Sequence, residues 1–418
     1  MLKNRTAAVL GTALLASLVA VPAMAQTATL DKSVTVSGQG STFISNFVEQ
    51  CKADVKNAFG INIGYQPTGS GAGRSNFISG ASDFGGSDVP FSAAELSQLK
   101  DKKFGYIPIT IGGIAVTFRL PGVTDLTFSA TTLAKIFNGD IQKWNAEPIA
   151  KENPGANLPD SIIKVVVRSD SSGTSNVFSD YLSSAGKGAW TKGAQSTFPV
   201  PAGNGVAQRG SDGTTNYVQG SQGEGAITYA EVSFARERKL SIAKVLNASG
   251  NAVLPDAANV TEAMSAAAVN DDGTLLLNFN APGSKAYPIS TTSYILAPLT
   301  LDPAKADVLR TFLTYGLGAC QTKAEKLNYA PLPKPLVERG NKTVDKITGT
   351  GPVPTVAAGG AAPASSAPTT ATTAHAATAA TTAASAPAST AAATKPAVTT
   401  ATTKAKKPIK KTVKKATH

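Results

Sequence analysis

Histidine is nearly missing from this 418-residue chain. It has two, His375 and His418, and both lie in the C-terminal tail. The body of the chain therefore cannot build a Ser-His-Asp or Cys-His nucleophile, nor a histidine-held metal. Cysteine is as scarce: Cys51 and Cys320 are the pair present. Neither sits in a Cys-x-x-Cys or Cys/His pattern, so no zinc site or other cofactor is expected. In an exported protein such a pair can form one disulfide, here stapling the start of the body to its end, or it can stay as two buried thiols. Long apolar runs are also absent. The single apolar stretch near the N-terminus is short for a bilayer span, which needs about 20 residues.

That stretch belongs to residues 1–25, with Lys3 and Arg5, an apolar run and then Ala23-Met24-Ala25. The pattern predicts a secretory signal, cleaved to leave a soluble mature chain from Gln26 and a periplasmic location. Acidic residues are lacking at the other end. From Gly351 onward the chain is Ala, Thr, Pro and Ser with eight lysines, at 395, 404, 406, 407, 410, 411, 414 and 415. This composition predicts a disordered tail over 351–418. Taking those eight and the two basic leader residues from the 39 Lys and Arg leaves 29, against 27 acidic residues. The formal charge of +12 is thus mostly tail, and no basic stripe is indicated on the body. The tail itself is suited to anionic envelope polymers or DNA.

The body reads as alternating strands and helices, which implies parallel sheets with crossovers. Ser33–Gly38 alternates like a strand. Residues 41–60 carry a helical apolar face (Phe43, Ile44, Phe47, Val48, Cys51, Val55), with Ser41 or Thr42 able to cap it and Gly60 to end it. Residues 61–66 form the next strand. A short helix is expected near Ser75–Ser79, and a strand ends in Phe84-Gly85-Gly86-Ser87-Asp88. Two long extended stretches, 106–118 and 287–299, read as crossings between two α/β lobes. One lobe is built from residues 26–109 and 290–350, and the other, 110–289, is inserted between them.

Several strand-to-helix junctions share one chemistry. In Arg168-Ser169-Asp170-Ser171-Ser172-Gly173-Thr174 a β-branched run ends in an arginine, and a helix begins near Thr174. Ser172, Gly173 and Thr174 then bring hydroxyls and unpaired backbone N–H groups to a helix start, where anions are favoured. The Arg168 guanidinium is a planar fork suited to an oxyanion, and Asp170 is placed to hold it. Gly38-Gln39-Gly40-Ser41-Thr42-Phe43 offers the Thr42 hydroxyl and the Phe43 N–H; it lacks the third glycine of a dinucleotide fingerprint. Thr68-Gly69-Ser70-Gly71 offers the Ser70 hydroxyl and lacks the Gly-Lys-Ser/Thr of a P-loop. Asp88 ends a strand beside these turns. A carboxylate there would repel an anion unless the anion brings a hydrogen. Phosphate does so near neutral pH and sulfate does not, so an acceptor in a donor-lined cleft discriminates between them.

Seven segments in order resemble the phosphate-binding protein of the bacterial ABC phosphate importer, the PstS family. They are GQGSTF, TGSGAGRSNFISGASDFGGSDVP, ITIGGIAV, LAKIFNGDIQKWN, VVRSDSSGTSNVF, GAITYAE and YPISTTSYIL, and the resemblance covers roughly residues 33–340. It implies a two-lobe periplasmic-binding-protein (Venus-flytrap) α/β fold with hinge crossovers. It also implies a monomeric receptor that binds inorganic phosphate and delivers it to membrane permease subunits. By motif it implies phosphate contacts from Thr42, Phe43, Ser70, Asp88, Arg168, Ser172, Gly173 and Thr174, with Asp170 pairing the arginine. Cys51, Cys320 and the tail depart from the pattern. Two other readings stand beside it. One is a surface or adhesin-like phosphate binder attached through the tail. The other is a phosphatase of the same fold with Ser172 as nucleophile and Asp170 as the nearest base.

Overall fold

The computed structural model describes residues 30–349; the leader and tail expectations fall outside them. The alternation at residues 33–38 becomes β1 (Thr35–Gly40), in which Val36 and Gly38 are buried. There follow α1 (Ser45–Phe59), β2 (Asn62–Pro67), α2 (Ser70–Ser79), β3 (Phe84–Ser87), α3 (Ala93–Leu99) and the long β4 (Phe104–Arg119). Next are β5 (Thr127–Phe128), α4 (Ala130–Asn138), α5 (Glu147–Glu152), β6 (Lys164–Arg168), α6 (Gly173–Ala185), β7 (Gly205–Gln208), α7 (Gly210–Gln219), β8 (Ala226–Glu231) and α8 (Val232–Glu237). Short pieces β9 (Ser241–Ile242), β10 (Lys244–Leu246), β11 (Ala252–Val253), α9 (Ala257–Met264), β12 (Ala268–Val269) and β13 (Leu275–Leu276) precede β14 (Ser290–Pro298), α10 (Pro303–Leu317) and α11 (Lys334–Val344).

The main sheet runs β2-β1-β3-β14-β4-β8-β6-β7. It is mixed, not purely parallel. β1 lies parallel to β2 and β3, and β6 to β7 and β8, whereas β14 and β4 run antiparallel to their neighbours. β4 changes partner midway: Phe104 to Gly113 pair with β14, and Ile114 to Arg119 pair with β8. One continuous strand therefore belongs to both halves of the two-lobe fold. The chain comes back beside the same point, where Ile114 N–H donates to Ile289 O at 2.8 Å and the Tyr287 hydroxyl donates to Ile114 O at 2.7 Å. The hairpin of β12 and β13 leans on elements of the first half: the Tyr294 hydroxyl accepts from Leu275 N–H at 2.7 Å, and Arg339 reaches Asn270 O at 3.0 Å.

Helix starts differ from the sequence expectation in an informative way. α1 begins at Ser45, with Ile44 as its uncapped first flank, so neither Ser41 nor Thr42 caps it. Their hydroxyls are committed elsewhere, as shown below. Gly60 ends the helix as expected, at φ 73°. α2 begins at Ser70, five residues earlier than the apolar pattern indicates. α6 begins at Gly173, and Ser172 caps it by accepting from Ser175 N–H at 3.1 Å. Gly40, at φ 146°, lies against β3: a Cβ there would sit 2.1 Å from Gly86 O. The turn after β1 can approach β3 this closely because residue 40 has no side chain.

Of the two states left open for the cysteines, the disulfide is formed. Cys51 on α1 is bonded to Cys320, across 269 residues of sequence. Both sulfurs are buried in the main apolar core with Phe47, Val55, Leu309 and Leu313. Among the described residues, no helix is long and apolar enough to cross a membrane.

Candidate functional site

Three strand-to-helix turns and one mid-strand serine meet at the junction of the two halves. Asp88, just after β3, is buried and stands at the centre. Its Oδ1 accepts from the hydroxyls of Ser41 and Ser293, the latter at 2.8 Å, and its Oδ2 accepts from the Thr174 hydroxyl at 2.9 Å. Asp88 N–H donates to Ser70 Oγ at 3.3 Å. Gly173 packs into the same spot: a Cβ there would lie 2.6 Å from Ser70 Oγ and 2.7 Å from Asp88 Cβ. The 173–174 turn can close on Asp88 because residue 173 is glycine.

Arg168, at the end of β6, is 2% exposed. Its Nε donates to Asp170 Oδ1 at 2.7 Å, and its Nη2 donates to Asp170 Oδ2. Asp170 Oδ1 also accepts from Gly210 N–H at 2.9 Å. Burial would raise the Asp170 carboxyl, but the Arg168 fork and the Gly210 N–H outweigh it and hold the group below the ordinary carboxylate range. The guanidinium is thereby fixed in plane. A guanidinium has five N–H donors, so the two given to Asp170 leave three uncommitted to it.

Asp88 is shifted the other way. Burial raises its carboxyl above the ordinary value, against the opposing pull of Ser41, Ser293, Thr174 and Arg168. An ionised carboxylate offers about four lone-pair directions, and three are met by protein hydroxyls. One acceptor position is left in a site otherwise lined by donors.

Thr42 and Phe43 sit on the turn after β1 and are buried. The Thr42 hydroxyl bonds the Ser211 hydroxyl at 2.8 Å and accepts from Ser211 N–H at 3.3 Å. Phe43 N–H donates to Ser41 Oγ at 3.0 Å. The structure thus brings together Thr42, Phe43, Ser70, Asp88, Arg168, Ser172, Gly173 and Thr174, with Asp170 behind the arginine. In this closed arrangement several of these groups satisfy one another across the two halves. Gly71 N–H, for example, donates to Ser171 O at 2.9 Å. A cavity of about 360 Å³ reaches Asp88 from outside, between Val89 and Phe91 on one side and Asn176 and Asp180 on the other. Among the described residues no group of three or more His, Cys, Asp or Glu is placed to hold a metal ion.

Residues 23–319 match the PBP superfamily domain. The chain is 37% identical over 316 residues to phosphate-binding protein PstS of Xylella fastidiosa, spanning 74% of this chain and 84% of that protein. It is 35% identical over 310 residues to phosphate-binding protein PstS 2 of Mycobacterium tuberculosis, spanning 71% and 82%. The chain belongs to the PstS family. Its two-lobe fold also superposes on a high-affinity periplasmic phosphate-binding protein solved with phosphate, at TM-score 0.61 and 24% identity over 76% of this chain and 99% of that one.

Four residues at this junction escape the sequence reading. Ser41 lies inside the GQGSTF turn, where the sequence offers it only as one of two candidate caps. Ser293 lies inside YPISTTSYIL, which is a crossing strand and a segment of the family resemblance but carries no ligand contact in the sequence reading. Gly210 and Ser211 open α7 after β7, with the same strand-glycine-serine order as Gly40-Ser41 and Gly69-Ser70. That repeated pattern is the signal that could have found them.

Proposed function

We propose that the protein is an exported receptor that captures inorganic phosphate between its two lobes and delivers it to the membrane permease of an ABC importer. The lobes are taken as residues 26–109 with 290–350, and 110–289. The observation that carries the reading is the pairing of opposites at one point: three uncommitted N–H donors on a clamped arginine, and a single spare acceptor position on Asp88. The donors suit any tetrahedral oxyanion, while the acceptor demands a protonated one. Thr42, the Phe43 N–H, Ser70, Ser172 and the backbone N–H groups of Gly173 and Thr174 supply further donors, while the Thr174 hydroxyl stays on Asp88. The PstS names of the relatives favour the same ligand.

A binding role is favoured over a phosphatase. The Ser172 hydroxyl accepts from Ser175 N–H, and Asp170 is engaged by Arg168 and Gly210, so the one acid near Ser172 in sequence is already held. The test is calorimetric titration of the mature protein with phosphate, sulfate and arsenate. Phosphate and arsenate are expected to bind and sulfate to fail at matched concentrations. Sulfate binding as tightly as phosphate would sink the reading.

The lysine-rich tail is read as a contact for anionic envelope polymers or DNA, on the strength of eight lysines and no acid beyond Gly351. Retention of the full chain on an anionic matrix is expected to fall steeply with salt, and truncation after Thr350 to abolish it. A truncated form retained as strongly would rule the tail out.

A further inference from the structure

GAITYAE, one of the segments that identified the family, ends in a glutamate that the phosphate site does not use. Glu231 closes β8, opposite Ile114, the residue at which β4 passes from one half of the fold to the other. It is fully buried. Its Oε2 accepts from Ser233 N–H at 2.9 Å and from the Ser233 hydroxyl. Its Oε1 has no hydrogen-bond partner among the described residues.

The surroundings come from both halves. Asn46, on α1, donates to Ser233 Oγ at 3.0 Å and to Glu237 Oε1 at 2.7 Å. Tyr329, from the segment before α11, is buried close enough to Glu231 for each to act on the other's ionisation. The Tyr329 hydroxyl has one hydrogen, and it goes to Phe43 O at 2.6 Å. Toward Glu231 that hydroxyl can only accept. An ionised Glu231 would therefore set acceptor against acceptor, whereas a proton on Oε1 completes a relay from Glu231 through Tyr329 to the carbonyl of Phe43.

Among the described residues no cation is paired with Glu231. Arg236 is engaged by Asn328 and Asp256, and Arg238 by Asp212 and Glu237. The groups acting on Glu231 are Ser233, Tyr329 and the like-charged Glu237. Burial is the largest influence and drives the carboxyl well above its ordinary range.

We propose that Glu231 is a positioning residue for the phosphate site, holding the Thr42-Phe43 turn through Tyr329, and that closing the lobes takes up one proton at its carboxyl. This rests on the phosphate-receptor reading. With the lobes open and water admitted, the group returns toward the usual glutamate value of about 4.3. Above that value the closed form holds a proton that the open form lacks, so affinity falls as pH rises.

Calorimetry in buffers of different ionisation enthalpy counts the protons taken up per phosphate bound. Phosphate and Asp88 contribute alike to wild type and to Glu231→Gln, so the difference isolates Glu231. Wild type is expected to take up about one proton more, and the ratio of its Kd to that of the variant to rise with pH by up to about tenfold per unit. Glu231→Ala is expected to weaken phosphate about tenfold, and Glu231→Gln to recover most of that loss, because the amide N–H can donate to Tyr329. Equal proton counts with a flat ratio overturn the inference. No phosphate heat in any form overturns the receptor reading instead. Should Glu231→Gln fail to fold, Glu231→Ala serves as the reference for the same difference in proton count, and equal counts there overturn the inference.

Discussion

Replacing Arg168 with alanine is expected to weaken phosphate binding at least a hundredfold. The guanidinium is buried, fixed in plane by Asp170, and keeps three donors for a ligand. Hydrogen bonds to charged groups contribute about 1.5–3 kcal/mol each. Two such bonds make at least about 3 kcal/mol, and about 1.4 kcal/mol is tenfold in affinity. The substitution does further harm, because the Asp170 carboxylate then faces the anion without its counter-charge. Arg168→Lys keeps the charge but loses the fork, so it should fall between wild type and alanine. Titration calorimetry at fixed pH and salt checks the series. A Kd for Arg168→Ala within threefold of wild type would remove the arginine from the site.

The second large effect concerns which anion is accepted. Asp88→Asn is expected to let sulfate compete at least tenfold better against phosphate, while phosphate itself loses less. In the native site the ligand-facing lone pair on Asp88 meets a phosphate hydroxyl, but it would meet a bare sulfate oxygen. Two acceptors held together in a closed cleft leave both unsatisfied, at about 1–3 kcal/mol or more for a charged group. An asparagine keeps one oxygen for Ser41 and Ser293 and offers an N–H₂ where the second carboxylate oxygen stood. Competition titration of bound phosphate with sulfate measures the change. Sulfate that competes no better against the variant would show that Asp88 is not what rejects it.

How far the sequence could be read depended on how local each feature is. The turns at 40–43, 68–71 and 168–174 were legible because strand end, glycine, hydroxyl and helix start follow one another within a few residues. The same locality made Asp170 identifiable as the partner of Arg168, two positions away. Ser293 was not legible in that way, since its carboxylate partner lies 205 residues earlier and its own neighbours are plain strand residues. Ser211 answers Thr42 across 169 residues for the same reason. The start of α1 differs from the expectation because Ser41 and Thr42 have capping chemistry, yet the Ser41 hydroxyl goes to Asp88 in its own lobe and the Thr42 hydroxyl crosses to Ser211. Side chains committed to partners far away in the sequence are thus the ones that break local rules. The mixed strand directions were equally hidden, because β4 and β14 acquire their antiparallel neighbours only once the chain crosses and returns.

The bond between Cys51 and Cys320 encloses most of the folded chain. A protease that severs the backbone once at any point between those two positions leaves the molecule as one covalent piece, and two fragments part only after reduction. The same bond cannot form until residue 320 has been synthesised, so it closes only once nearly the whole folded body is available.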